Sequence, residues 1–262
     1  MLDRIHATAI VDPQAELARD VSIGPACVIQ GAVSIAAGTR LLGHVYLQGP
    51  LTIGTGNVLY PFTCVGFAPQ DRKFDAKVAG AGTVLGDQNV LREGVTIHRA
   101  TGDQVTRIGD RNFFMANSHV GHDTVVGHDC TLANGVLVAG HCVIQDQVIF
   151  GGNAGVHQFC RIGRLAMVSG MASLSQDVPP FCVVYKSSQI KSLNIVGLRR
   201  AGYREHIKPL QRAFSLLYKE RLANTHVAEA IERELGHDEL CLEFARFIRG
   251  SRRGITEQKS DK

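Results

Sequence analysis

The stretch Val120-Gly121-His122-Asp123-Thr124-Val125-Val126-Gly127-His128-Asp129-Cys130-Thr131-Leu132-Ala133-Asn134-Gly135-Val136-Leu137-Val138-Ala139-Gly140-His141-Cys142-Val143 decides the fold. Read in sixes, an aliphatic residue opens each unit: Val120, Val126, Leu132, Val138. A small or β-branched residue takes the fifth place: Thr124, Cys130, Val136, Cys142. The pattern extends from Ile108 to Pro179, where Asn112 is the one fifth place that is neither small nor β-branched. It also runs from Ile5 to Leu59, and all twenty-two first places of the two runs are Ile, Leu, Val or Phe. A six-residue period with inward first and fifth places predicts a parallel β-helix of left-handed type. Three hexads make one coil, so residues eighteen apart stack at about the 4.8 Å strand spacing.

The register breaks twice, which predicts inserted loops near residues 66–84 and 100–107. Loops that leave a regular solenoid usually carry function. The hexads end at Pro179-Pro180, and an irregular connector follows. Stripes at helical spacing come next: Ile207, Leu210, Phe214, Leu217 and Tyr218; Val227, Ile231 and Leu235; Phe244, Phe247 and Ile248. The expected organisation is therefore a β-helix over residues 1–193 and a helical domain over 194–262.

Composition is that of an ordinary soluble chain: 262 residues, 45% hydrophobic, 20% charged, no Trp. No signal-peptide core and no membrane-length apolar run is present, so the cytoplasm is the expected location. From Gly197 onward there are fourteen Lys/Arg against ten Asp/Glu, so the whole formal charge of +4 belongs to the tail. An acidic partner would meet it there, on cations such as Arg204, Arg212 and Arg221, unless the charge is only a solvated face. Seven cysteines without a C-x-x-C pair read as buried free thiols, four of them at fifth places: Cys27, Cys130, Cys142 and Cys160.

Counting by eighteen places His122, Gly140 and Gln158 in one outward column and Asp123 with His141 in the next. A histidine beside a carboxylate, with a glycine stacked one coil on, offers a general base, its orienting group and a backbone N–H for an oxyanion. Two other readings stand beside it. His119, His122 and His141 could hold zinc, as in the γ-class carbonic anhydrases that share such a solenoid. Alternatively, the β-helix is a scaffold and its histidines are incidental.

Six strings resemble one family: His119-Val120-Gly121-His122-Asp123, Leu132-Ala133-Asn134, Ala139-Gly140-His141, Val156-His157-Gln158-Phe159-Cys160, Ser175-Gln176-Asp177-Val178-Pro179-Pro180 and Asn194-Ile195. They look like the acyl-(acyl carrier protein)–UDP-N-acetylglucosamine O-acyltransferases, which begin lipid A synthesis, and the resemblance spans essentially the whole chain. It implies a homotrimer with active sites between subunits. Its catalytic group would be His122, Asp123 and Gly140. The substrates would meet Gln70, Asp71, His119, His141 and Gln158, with Asn194 and Arg200 toward the nucleotide. His157, Met167 and Gly170 would line the acyl chain's path, with Gly170 as a length gate. Acyl carrier protein and UDP-N-acetylglucosamine are the implied partners, with no nucleic acid. No metal or cofactor is implied beyond the carrier's own phosphopantetheine arm. Val196 and Ala201 depart from the family's usual Glu and basic residue, which leaves room for a relative with altered sugar or acyl preference. The paralogous N-acyltransferases resemble the chain less, since hexads already begin at Ile5.

Overall fold

The computed structural model describes residues 4–186, 188–220 and 223–258. Among the described residues, short strands of two to four residues fall into three sheets of nine, eight and ten strands, and up to Ser173–Leu174 each strand pairs with the third one along the chain. The result is a parallel β-solenoid with three flat faces. His119 pairs with Leu137, Leu137 with Gly155 and Gly155 with Ser173, a register of eighteen. First-place residues are buried almost completely, from Ile23 through Phe114 and Phe150 to Leu174. Each coil thus repeats one small core layer, and emptying such a place, as in Phe150→Ala, costs roughly 3–5 kcal/mol.

Asn112, the exception among the fifth places, is buried too and belongs to an internal amide ladder. The Asn57 side-chain oxygen accepts the backbone N–H of Asn89 at 2.8 Å, that of Asn89 accepts from Asn112 at 2.9 Å, and that of Asn112 accepts from Cys130 at 2.7 Å. Each amide also donates to a carbonyl of the next coil, so no buried polar group is left over there. Cys130 follows Asn112 in that column and Cys142 follows Thr124 in another; both thiols are unpaired and pushed up to about 12, chiefly by burial.

The fourth place of the hexads is a left-handed corner, and many of its residues are not glycine: Gln88, Arg111, Asp123, Asp129, His141, Phe159 and Met171 have φ between 56° and 67°. Each costs about 1–2 kcal/mol relative to glycine in isolation, which the stacked coils on either side must supply.

Pairing also measures the two loops. Val58 pairs with Val90, thirty-two residues on, so the first insertion adds fourteen to the coil. Val90 pairs with Phe113, twenty-three on, so the second adds five. The first loop is pinned by the buried Arg99, which donates to the carbonyls of Ala76 and Val78 at 2.9 and 3.0 Å and to Gln48 at 3.1 Å.

The expected irregular connector after Pro180 carries two strands instead. Cys182–Val184 pairs parallel with Met167–Val168, and Ile190–Leu193 turns back antiparallel on it. Four helices follow: α1 (Ile195–Arg200), α2 (Ile207–Tyr218), α3 (Asn224–Leu235) and α4 (Glu239–Arg249). Arg164 clamps α4 to the solenoid through Glu243 at 2.7 Å and lies over the rings of Phe181 and Tyr203. After α4 the chain returns to the last coil at the buried Asp177. Its carboxylate accepts from the Ser251 hydroxyl and the Arg161 N–H, each at 2.8 Å, and its carbonyl from the Thr256 N–H. Among the described residues no helix is long and apolar enough to cross a membrane.

Candidate active site

The corner after strand His119–Val120 carries the chemistry. Asp123 takes the left-handed corner, φ 58°, which turns its carboxylate back beside the preceding side chain. His122 Nδ1 lies 2.7 Å from Asp123 Oδ2. A carboxylate accepts, so the neutral ring carries its proton on Nδ1 and its lone pair on Nε2.

The carboxylate is itself held by the second inserted loop. Thr101 donates to it from its hydroxyl at 2.6 Å and from its backbone N–H at 3.1 Å, and the Gly102 N–H donates at 3.3 Å. Burial alone would push the Asp123 carboxyl up. The Thr101 hydroxyl, His122 and the two backbone N–H groups outweigh it and hold the carboxyl below the ordinary range.

One coil on, Gly140 makes room for the imidazole. A Cβ there would lie 2.7–3.1 Å from three atoms of the His122 ring, closer than real contacts allow. Gly121 is needed for the same packing, since its Cβ would meet Gly140 N at 2.6 Å. The Gly140 N–H takes no partner among the described residues, so a backbone donor stands free beside the base.

A cavity of about 730 Å³ opens over this corner, lined among others by Gln70, His98, His119, His122, Gly140, His157 and Gln158. The first loop thus delivers Gln70 to the base, while the exposed Asp71 is not among the lining residues and its carboxylate accepts the Lys73 N–H at 2.9 Å. His119 bonds Thr96 Oγ1 at 2.7 Å, and its pKa is lowered by burial and by His122. His141 lies behind the pair, 3.7 Å from Asp123 Oδ2, edge-on to His122 and stacked on Phe159. It lines a second hollow of about 450 Å³ with Asp103 and Arg107.

The other expected contacts lie elsewhere. Met167, Asn194 and Arg200 line a cavity of about 840 Å³ between the ten-stranded sheet and α1, which shares no residue with the His122 cavity. Within one chain, His157 and Met167 therefore do not form a single acyl pocket. Gly170 is among the lining residues of neither. It stacks on Gly152 along another edge, where a Cβ would come within 3.0 Å of the Gly152 carbonyl. Asn194 caps α1: its side-chain oxygen accepts the Gly197 N–H, and its amide donates to the Leu165 carbonyl. Val196 is 58% exposed on the rim of that cavity.

Three side chains that could carry metal ligands do gather: His122, Asp123 and His141. His119, which the zinc reading required, is not among them and is engaged with Thr96. The Asp123 oxygens accept from Thr101, Gly102 and His122, so the carboxylate is arranged to orient a histidine.

His98 was missed in the sequence. Burial, reinforced by His119, His122 and Arg99, brings it down to about 4, so it is neutral near pH 7. Its place in the column of Gly121 and His157 emerges only once the five-residue loop is subtracted from the count. In the tail, Arg212 is paired with Glu220 and Glu234, and Arg249 with Glu232, which removes them as free cations. Arg221 lies outside the described residues.

Comparison with known proteins finds relatives of the fold and of the chain as a whole. Residues 106–140 match the bacterial transferase hexapeptide repeat model, and residues 177–256 match the second domain of UDP-N-acetylglucosamine O-acyltransferase. The chain is 43% identical over 256 residues to the acyl-(acyl carrier protein)–UDP-N-acetylglucosamine O-acyltransferase of Anaeromyxobacter sp. strain Fw109-5, covering 96% of this chain and 99% of that one. It is 40% identical to the enzyme of that name from Thermodesulfovibrio yellowstonii, covering 97% and 99%. The crystal structure of UDP-N-acetylglucosamine O-acyltransferase from Moraxella catarrhalis superposes with a TM-score of 0.92 at 36% identity, over 97% of this chain and all of the other. The Acinetobacter baumannii structure gives 0.92 at 37%, with the same coverage. The chain belongs to the acyl-(acyl carrier protein)–UDP-N-acetylglucosamine O-acyltransferase family of acyltransferases.

Proposed function

We propose that this enzyme transfers a 3-hydroxyacyl group from acyl carrier protein to the 3-hydroxyl of UDP-N-acetylglucosamine, the first step of lipid A synthesis. The observation that carries the reading is the His122–Asp123 bond of 2.7 Å beside a glycine N–H without a partner. His122 Nε2 takes the proton of the sugar hydroxyl as the oxygen attacks the thioester carbonyl. Asp123 steadies the imidazolium, and the Gly140 N–H receives the oxyanion, a contribution worth roughly 3 kcal/mol where one such donor has been removed. Collapse of the tetrahedral intermediate expels the carrier's thiolate, which takes up the proton from His122. The chemistry needs no metal and no cofactor beyond the carrier's phosphopantetheine arm.

The working unit is a homotrimer. One chain holds the base in one cavity and Met167, Asn194 and Arg200 in another, and a neighbouring copy brings the two kinds of surface together. Of the cations expected to meet the acidic carrier, Arg212 is ion-paired and Arg204, among the described residues, is not, and charge reversal at Arg204 and the nearby Lys208 raises KM for the carrier thioester in a salt-dependent way. The exposed Val196 favours a second reading, a relative with an altered nucleotide-sugar preference.

Mass spectrometry of products made from UDP-N-acetylglucosamine and acyl carrier protein thioesters of mixed length tests both. An ester on the 3-hydroxyl supports the first reading; no product with this sugar but turnover of another overturns it in favour of the second. Enzyme stripped by chelator and free of zinc must retain its rate, or the metal-independent mechanism fails.

A further inference from the structure

The two breaks in the hexad register meet at one point. Ala100 N–H and Thr106 N–H, the two ends of the second loop, both donate to the Gly82 carbonyl at 3.2 Å, where the first loop rejoins the solenoid. From that neck the second loop reaches the Asp123 side chain repeatedly. Thr101 and Gly102 hold the Asp123 carboxylate by their N–H groups and the Thr101 hydroxyl, while the buried Thr106 hydroxyl accepts the Asp123 backbone N–H at 2.8 Å. Five extra residues cost little as loop entropy, but a loop whose donors converge on one carboxylate is organised around that carboxylate.

We propose that Thr101 is a positioning residue: through Asp123 it sets the proton affinity and ring orientation of His122. The hydroxyl bond, at 2.6 Å, is the shortest that Asp123 accepts. It spreads the carboxylate's charge and fixes which oxygen faces His122 Nδ1. Without it, the same charge bears more heavily on the imidazolium and the oxygen is free to turn. The other ionisable groups near the pair are His141, against Asp123; His119, His98 and His157, in the cavity; and Asp103 and Arg107, in the hollow on the loop side. None of them is changed by a substitution at Thr101.

This inference rests on the reading of His122 as base, but its test reads His122 directly. Histidine NMR of the full-length protein gives the titration midpoint of His122 in wild type, T101V and T101S, with kcat and KM measured beside it. T101V is expected to raise the midpoint by about 0.5 pH unit or more and to lower kcat about tenfold with both KM values unchanged, and T101S to restore both. T101A takes the place of T101V if the valine prevents folding. An unshifted midpoint in a folded T101V or T101A protein overturns the proposal, whatever happens to the melting temperature. Full activity in H122A would instead remove the base assignment, which the midpoint measurement does not depend on.

Discussion

His122 and His128 both occupy the third place of a hexad, at successive corners of the same coil, and both lie close to a carboxylate, at 2.7 and 3.0 Å. The resemblance ends with the residue one coil on. At the second corner, third-place side chains form a ladder that receives backbone N–H groups from the coil before. Asp110 accepts from Asp87, His128 Nδ1 accepts from Asp110, and Asp146 accepts from His128. His128 is a member of that ladder, and its Nδ1 meets both the backbone N–H and the carboxylate of Asp110, each at 3.0 Å. At the first corner the ladder is interrupted by Gly140. With no side chain there, the His122 ring lies over the glycine, its Nδ1 turns to Asp123, and Nε2 is left with the lone pair. Two histidines of equal spacing and similar neighbours thus stand differently: Nδ1 of His128 meets the ladder's own backbone, while His122 is turned to Asp123 and lines the cavity of about 730 Å³.

The largest effect expected from this contrast is H122A, which should lower kcat by roughly 100-fold or more with little change in melting temperature, since the ring supports no core layer. Steady-state kinetics on the folded enzyme checks it, and near-full activity would discard the assignment. Next is G140A. The added carbon would press on the His122 ring at under 3.1 Å, so either the ring or the coil must move. A loss of about 10- to 100-fold in kcat is expected, with KM for both substrates changing less than kcat. Wild-type turnover in G140A would mean that the glycine is needed only for packing.

How much of this was legible depends on which residues obey the six-residue count. The hexads gave the solenoid and the stacking of His122 under Gly140, because first-place burial and the eighteen-residue register follow from side-chain periodicity alone. The helical stripes likewise fell on buried faces, with Leu210, Phe214, Val227, Ile231, Phe244 and Ile248 all in the core. What the count hid lies where it breaks. His98 and Thr101 sit beside or inside the second loop, and nothing in their local sequence says that five residues must be subtracted to find their neighbours. The strand Cys182–Val184 was hidden behind Pro179-Pro180, which read as a stop. The partner of each acid was invisible as well: Asp129 follows His128 just as Asp123 follows His122, yet Asp129 pairs with Arg111 at 2.8 Å instead. The placing of Met167, Asn194 and Arg200 was out of reach for another reason. Sequence spacing within one chain does not say which surfaces a second copy covers.

A smaller effect is expected at Asp123. D123N keeps the shape but offers an amide where the carboxylate accepted four donors, so kcat should fall about tenfold at neutral pH. Stability carries a sign that separates this residue from the ladder acids. Because the folded carboxyl is held below its ordinary value of 3.8, its contribution is complete above that pH and is lost as pH falls through the folded value. Wild type should therefore be more stable than D123N at pH 7, by a margin that shrinks only below about pH 4 in denaturant titrations. A constant margin down to pH 2 would show that Asp123 is not held as the structure implies.

The smallest effect, and the one that bears most directly on the contrast, belongs to H128A. Its side chain is 46% exposed against 17% for His122, and it contributes one hydrogen bond to a backbone N–H that water at the open edge can replace. Exposed pairs of the His128–Asp110 kind contribute little, about 0–1 kcal/mol. The expected result is a kcat within about twofold of wild type and a stability within about 1 kcal/mol. Comparable losses in H128A and H122A would mean that both corners serve the coil and that neither ring is a base. A loss confined to stability would mean that the ladder contributes more than one solvent-replaceable bond. Unchanged values for both, with H122A inactive, would leave the glycine one coil on as the feature that tells the two corners apart.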